Sequence, residues 1–403
     1  MPEVPSLNGP GAQPGAAEEA NLIRWTVAMP RARAALIAAA TVATICSAIA
    51  VFSSLYFAPA PVPGAEVHLD GGPLVRAWAR WDSGWYASIA RDGYTYAPGT
   101  QGPVAFFPGY PLAIRTLAGL GLDRFTAGFL VTLLCGIFAS RLFLRWATLQ
   151  TDPKTAFAAT MMLILYPFAF YLYGAIYSDA LLLMLVIGAF LCLERDALML
   201  ATLLGAAATF TRPVAPAVVL GLLVRQIERR RQKGEPIRWQ DFLPLLALGG
   251  IGLYMLHLWT HFGDPLAFLH VQSAPGWDQP SGWHTWLKIT WFQILFPKVA
   301  PLVAFRLVGH AVVALGALAL VPATRRHLGL GYAVYSALAV GLPTIASKDF
   351  MGLGRYVLSA FPLFLTLALL LRGKTWVLAG WLVLSALLLA VLVFAWGAGG
   401  YVA

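Results

Sequence analysis

Charge is scarce in this sequence. Asp, Glu, Lys and Arg supply 11% of its 403 residues, against roughly a quarter in a typical soluble domain. Hydrophobic residues reach 59%. So little charge cannot cover the surface of a water-soluble protein of this size, which excludes that class and leaves a chain that crosses a membrane many times. Cysteine is scarce as well. Cys46, Cys135 and Cys192 lie far apart inside apolar runs, which excludes a disulfide framework and reads as small core residues. There is no P-loop, no dinucleotide-binding glycine fingerprint, no Gly-x-Ser-x-Gly elbow and no soluble nucleotide-binding domain. No internal repeat suggests a transporter built from two related halves.

What charge there is has a pattern. The formal net charge is +10, but the basic residues sit in short loops between apolar runs. That is the signature of cytoplasmic loops in a polytopic protein, and no nucleic-acid partner is expected. The strongest such loop is "RQIERRRQKGEPIR" (225–238). "TRRH" (324–327), "RGK" (372–374), the Arg31–Arg33 flank and the Arg141/Arg145/Lys154 loop agree with it.

Crossing a bilayer takes about 20 apolar residues. Candidate helices lie near 34–57, 125–147, 155–177, 179–194, 197–212, 213–226, 241–262, 298–322, 328–346, 355–371 and 375–397, about 11 in all. The expected fold is therefore an all-α polytopic membrane protein. Residues 1–33, rich in Pro, Gly and Ala, read as a flexible cytoplasmic tail, and 34–403 as a single transmembrane domain. The first span is too long for a signal-peptide core and is read as an anchor. "FTRPVAP" (210–216) reads as a break between two short helices. With the N-terminus in the cytoplasm, residues 58–124 and 263–297 fall on the other side, provided that the stretch around 104–121 is re-entrant or interfacial. Pro108, Pro111 and Arg115 favour that.

The unusual residues then gather at one end of the bundle. They include Ser178-Asp179, Arg212, "SKDFMGLGRY" (347–356) and the loop "WDSGWYASIARDGYTYAPGTQGPVAFFPGYP" (81–111). Charge near a membrane boundary is costly, so each such group needs a partner, water or a function.

Several of these segments occur together in one known family. Trp81-Asp82, Gly93-Tyr94, Phe106-Phe107-Pro108 with Tyr110-Pro111, "YPFAFYLYGAIYSDALLLML" (166–185), "TRP" (211–213) and "RYVLSAFPLF" (355–364) resemble, in order and spacing, the PIG-V-like mannosyltransferases and their prokaryotic relatives. The resemblance runs from about residue 75 to 371. It implies a GT-C-type glycosyltransferase in the cell (inner) membrane, with an extracytoplasmic catalytic loop after the first helix. It implies a polyprenyl-phosphate sugar donor and an acidic residue in that loop, which Asp82 matches. The chain lacks the long insertions of that family, so its acceptor (lipid, glycan or protein) does not carry over.

Transfer from a lipid-linked sugar needs one carboxylate to take a proton from the acceptor hydroxyl. It also needs a cation to receive the charge of the departing phosphate. Asp82 is the candidate base, weighed against a helix cap opening "WDSGWYASIA"; Asp92 is the reserve and reads as a turn residue. Trp81, Trp85 and Tyr86 around Asp82 offer aromatic faces to a sugar, and Tyr356 adjoins Arg355. Arg212 and Arg355 are the best phosphate ligands, since guanidinium matches phosphate oxygens as a fork; for Arg212 the plain alternative is an ion pair with Asp179. Lys348 is a third cation. Ser178-Asp179 reads as a helix N-terminus with an acidic first turn, or as a substrate contact. Phe106, Phe107 and Pro108 read as an interfacial, structural wedge. The histidines near 257–284 have no metal-ligand spacing, so no metal site is assigned, although a divalent cation stays compatible with this chemistry. The missing nucleotide site itself favours a lipid-linked donor. The reading is an integral membrane glycosyltransferase transferring a hexose, mannose by first choice, with inversion. The rivals are a transporter or lipid flippase, and a non-catalytic subunit of a glycosylation complex.

Overall fold

The computed structural model describes residues 14–59, 71–296 and 301–402. Among them the chain is helical, with no strand. Helix α1 (Pro14–Tyr56) begins within the stretch read as a tail and continues as the first span, Pro30–Tyr56. Two short helices follow, α2 (Pro73–Trp78) and α3 (Ser83–Asp92). Next comes α4 (Gly109–Ala118), whose ten residues make about 15 Å, half a bilayer's hydrocarbon core.

The central helices are α5 (Arg124–Gln150), α6 (Pro153–Ile164), α7 (Asp179–Glu194), α8 (Leu198–Thr211) and α9 (Ala215–Gln232). Two of their starts are set by acidic caps. Asp123 accepts from the Thr126 N–H at 2.9 Å, and Asp152 accepts from the N–H groups of Lys154 and Thr155. Helix α7 packs between α5 and α8, and α9 lies along α16 (Leu330–Ala346). A 3₁₀ stretch, Trp239–Leu248, leads into α10 (Gly249–Phe262). Three short helices, α11 (Ala267–His270), α12 (Trp283–Trp286) and α13 (Ile289–Leu295), punctuate the next loop. The last part comprises α14 (Pro301–Ala319), α15 (Val321–Leu328), α16, α17 (Leu353–Ser359), α18 (Pro362–Leu370) and α19 (Thr375–Gly397).

Five helices among the described residues are long and apolar enough to cross a membrane: Pro30–Tyr56, Arg124–Gln150, Trp239–Phe262, Val303–Leu328 and Thr375–Gly397. The pair α17 and α18, bent by 85° at its break, makes a sixth if it counts as one span. The other expected spans are helices of 12 to 18 residues, about 18 to 27 Å at 1.5 Å per residue. Length alone therefore does not carry eleven crossings.

The expected helix over 155–177 is a correction. Helix α6 stops at Ile164, and Tyr166–Ser178 runs as irregular backbone with one 3₁₀ turn, Ala169–Leu172. Pro167 explains the stop, since its ring excludes the helical conformation from the residue before it. This non-helical segment is buried, and Phe170 to Tyr173 are fully enclosed. Backbone of that kind is tolerated at membrane depth only inside protein. Gly136 of α5 makes room for it, because a Cβ there would stand 2.0 Å from the Leu172 carbonyl oxygen.

Apolar side chains gain nothing by leaving lipid for one another, so close packing and polar pairs hold such helices together. Helix α19 shows the lipid-facing extreme, with Trp376, Val383, Leu387 and Val391 exposed. Around α7 the packing is aromatic instead: Phe190 meets Tyr332, Tyr335 and Phe361 with ring centroids 5.2 to 5.6 Å apart.

Candidate active site

Four charged side chains from four parts of the chain converge at the α7 N-terminus. Asp179 opens α7, and Arg212 follows the last residue of α8. Arg355 lies in the first turn of α17, and Asp82 precedes α3. Arg212 donates to the Asp179 carboxylate in a buried ion pair. Arg355 stands between the two carboxylates, with Nη1 4.0 Å from Asp82 Oδ2 and Nε 3.9 Å from Asp179 Oδ1. These distances are too long for hydrogen bonds. Among the described residues, the Arg355 Nε and the second Asp179 oxygen are both buried without a hydrogen-bond partner. In native proteins such groups are rare, and each asks for an explanation.

Aromatic rings enclose the cluster. The Arg355 guanidinium lies 5.1 Å from the Tyr177 ring centroid, 5.3 Å from Tyr171 and 5.7 Å from Tyr356. The Arg212 guanidinium lies 4.8 Å from the same Tyr356 centroid. The irregular Tyr166–Ser178 backbone delivers Tyr171 and Tyr177, and its irregularity hid them from sequence reading: six residues apart, they share no helical face. Gly354 lets α17 come close, because a Cβ there would stand 2.2 Å from the Phe168 ring.

Asp82 does not cap a helix. Its backbone is already helical, and its carboxylate makes no hydrogen bond to α3. Its N–H donates to the Tyr177 hydroxyl at 3.0 Å, and a third of its side-chain surface is exposed. Burial raises the Asp82 carboxyl above its ordinary value, with Arg355 pulling the other way. The capping expectation for Ser178 fails too. Its side chain makes no cap bond, and its hydroxyl pairs with the Tyr86 hydroxyl at 3.1 Å. Burial pushes that phenol up to about 12.

The other candidates separate cleanly. Trp85, Phe106 and Trp277 make an aromatic patch beside Tyr86, with centroids 5.1 to 6.2 Å apart. Phe106 thus belongs to the site's wall and not only to a structural wedge. Phe107 points the other way, into a second core against Tyr254 and Phe268. Pro108 precedes α4. Lys348 is held by its backbone N–H on Gln279 and, among the described residues, its side chain makes no contact with the cluster. Asp92 is exposed at the far end of α3, paired with Arg91.

Trp81 adopts φ +52, a left-handed backbone that costs a bulky residue about 1–3 kcal/mol. Its indole N–H donates to the Gly400 carbonyl at 3.3 Å, and its ring meets Tyr401 edge to face at 4.9 Å. Nothing beyond the span near 375–397 drew attention in the sequence. The glycine pair Gly399-Gly400 was the available signal, since Gly399 at φ +86 turns the chain back after α19.

Comparison with known proteins adds to this geometry. The model of the family described as Mannosyltransferase (PIG-V) matches residues 53–229. The match takes in Asp82, Asp179 and Arg212 and ends before Arg355. No curated protein matches the chain by sequence. Solved structures that are similar include the oligosaccharyltransferase of Archaeoglobus fulgidus in its apo form. It is 12% identical at a TM-score of 0.46, with 91% of this chain and 56% of that one covered. The same enzyme in complex with zinc and sulfate matches with the same identity and score, covering 90% and 53%. The chain thus spans little more than half the length of those structures. Residues 53–229, less than half of the chain but holding three of the cluster's four charges, are thus similar to the PIG-V mannosyltransferases.

Proposed function

We propose that the chain transfers a hexose, mannose by first choice, from a polyprenyl-phosphate sugar to a hydroxyl acceptor, with inversion, and that Asp82 is the general base. Asp82 takes the acceptor proton. The acceptor oxygen bonds to the anomeric carbon from the face opposite the phosphate. The carbon–phosphate-oxygen bond breaks, and its electron pair leaves on polyprenyl phosphate. Arg355 receives that growing charge, since its guanidinium is in reach and makes no short bond with either carboxylate. Arg212 is committed to Asp179 and acts as a positioning residue. It holds the Asp179 carboxylate that faces Arg355, and both guanidiniums lie against Tyr356.

The observation that carries this reading is the part-exposed Asp82 carboxylate 4.0 Å from a guanidinium whose Nε, among the described residues, lacks a hydrogen-bond partner. The basic residues support an extracytoplasmic site. Arg229, Arg230 and Arg231 lie in the last turn of α9, and the Arg225–Glu194 pair lies at the end of α7 opposite Asp179. Under the positive-inside rule that end faces the cytoplasm and Asp82 faces away.

The test uses purified protein in nanodiscs, polyprenyl-phosphate [¹⁴C]mannose and a membrane-lipid extract, with polyprenyl-phosphate glucose as the second donor. Transfer by the wild type and its loss in Asp82→Asn of unchanged melting temperature are expected. Undiminished transfer by Asp82→Asn would move the base elsewhere. Failure of the wild type with every lipid-linked donor would sink the donor assignment.

A further inference from the structure

The segment after α19 returns to the site and is fixed there from several directions. Gly399 turns it back, and the carbonyl of Gly397 accepts from Arg80 Nη2 at 2.8 Å. The Gly400 carbonyl accepts from the Trp81 indole. Arg306 of α14 donates to the Tyr401 carbonyl and lies 5.7 Å from its ring centroid. Val402 is buried. Two large rings are thereby held edge to face next to the reacting pair, yet each keeps a broad open surface, with Trp81 48% and Tyr401 41% exposed.

Interfacial Trp and Tyr commonly sit at headgroup level with no defined partner. Trp81 and Tyr401 differ on three counts. Both are held by hydrogen bonds, Trp81 through its indole N–H and Tyr401 through its carbonyl, and the Trp81 backbone is left-handed. The rings are mutually oriented. Trp81 is also the residue directly before the proposed base. A sugar ring offers an apolar C–H face and a polar rim, which suits an aromatic wall with a carboxylate beside it.

We propose that Tyr401, with Trp81, forms a stacking wall for a pyranose ring beside Asp82. This rests on the reading of Asp82 and Arg355 as the reacting pair. Tyr401 is a binding residue here, supplied by a segment far outside the 81–111 loop. The ring bound is the hexose of the lipid-linked donor or the sugar of a glycan acceptor, which share the same C–H face.

The experiment is saturation-transfer NMR on the full chain in nanodiscs, prepared without glycoside detergents. The probes are methyl α-D-mannopyranoside, methyl α-D-glucopyranoside and methyl α-D-galactopyranoside. In the wild type, ring C–H protons of at least one pyranoside receive saturation. Tyr401→Phe retains this. Tyr401→Leu, which keeps apolar bulk but no ring, raises the apparent Kd about tenfold, or about 1.4 kcal/mol, at an unchanged melting temperature. No saturation of any pyranoside by the wild type, or equal affinity in Tyr401→Leu, overturns the wall. Sugar binding by a wild type that transfers from no lipid-linked donor leaves the wall standing and refutes the catalytic reading instead. Where transfer proceeds, the KM that rises in Tyr401→Leu, for donor or for acceptor, identifies which sugar stacks.

Discussion

Helix α7 carries a carboxylate at each end, Asp179 at its first residue and Glu194 at its last, and the two live differently. Glu194 is saturated. Arg225 Nε donates to it at 2.7 Å, the Tyr332 hydroxyl at 2.7 Å, and Arg229 lies at 3.5 Å. The Trp146 indole donates to Tyr332 in turn, and Glu228 ties Arg225 to the start of α16. Asp179 has one ion pair, an unpartnered oxygen and a guanidinium just beyond hydrogen-bond range. Both clusters bury charge at an end of the same helix. One is closed with its own hydrogen bonds and fastens α7, α9 and α16. The other leaves donors and acceptors for something that arrives. A fully satisfied network rigidifies; a partly satisfied one is expected where a ligand completes it.

Substitutions at the two ends should therefore break different things. Asp82→Asn should lower kcat by ~10²–10⁴-fold, the span usual for losing a general base, with no loss of folded protein; radiolabel transfer and a melting curve check both. Glu194→Gln should do the reverse. Removing one partner of a buried charge network costs about 3–5 kcal/mol, so the melting temperature should drop sharply. Turnover per folded molecule should stay near wild type; a turnover loss with intact stability would dissolve the comparison. Arg355→Lys keeps the charge but loses the fork. Giving up one charge-assisted hydrogen bond costs about 1.5–3 kcal/mol, so transfer should fall roughly tenfold to a hundredfold, with the donor KM separating binding from chemistry.

The smallest effect is on pH. The Asp82 carboxyl is raised in the fold by burial, so the fold favours its protonated form. Its contribution to stability is full below the unfolded carboxyl value of about 3.9 and is lost as pH climbs through the folded value. Asp82→Asn should therefore gain melting temperature relative to wild type as pH rises through that window, with the difference flat above it. The acid limb of kcat should lie above an ordinary carboxylate's for the same reason, because the base works only when deprotonated. A gap in melting temperature that instead shrinks with rising pH would contradict the raised value.

Much of this was legible in the residues. Charge scarcity and apolar runs marked the helices, and the segments that hold Asp82, Asp179, Arg212 and Arg355 could each be named. What stayed hidden was how they combine. The Arg212–Asp179 pair was among the expected alternatives and forms, but nothing in the sequence placed Arg355 between Asp82 and Asp179. The segment 155–177 reads as one apolar span, because hydropathy is blind to a backbone that unwinds at Pro167 inside protein. Phe106 and Phe107 look equivalent in sequence, yet one faces the site and the other a separate core. Tyr401 follows the last apolar run and carries no pattern of its own; its role depends wholly on where the turn at Gly399 sends the chain.

The cluster of Asp82, Asp179, Arg212 and Arg355 holds two carboxylates and two guanidiniums, and so is electrically neutral at rest. On the proposed reading, a lipid-linked sugar phosphate brings one negative charge, and the departing polyprenyl phosphate carries close to two. Neutral walls would be a poor match for that product, but the chemistry changes the walls. Once Asp82 has taken the acceptor's proton, one carboxylate is silent and the four groups sum to +1. The pocket becomes electropositive in the same step that makes its occupant more anionic. It returns to neutrality only when Asp82 releases the proton, so deprotonation of the base and release of the spent lipid are tied together.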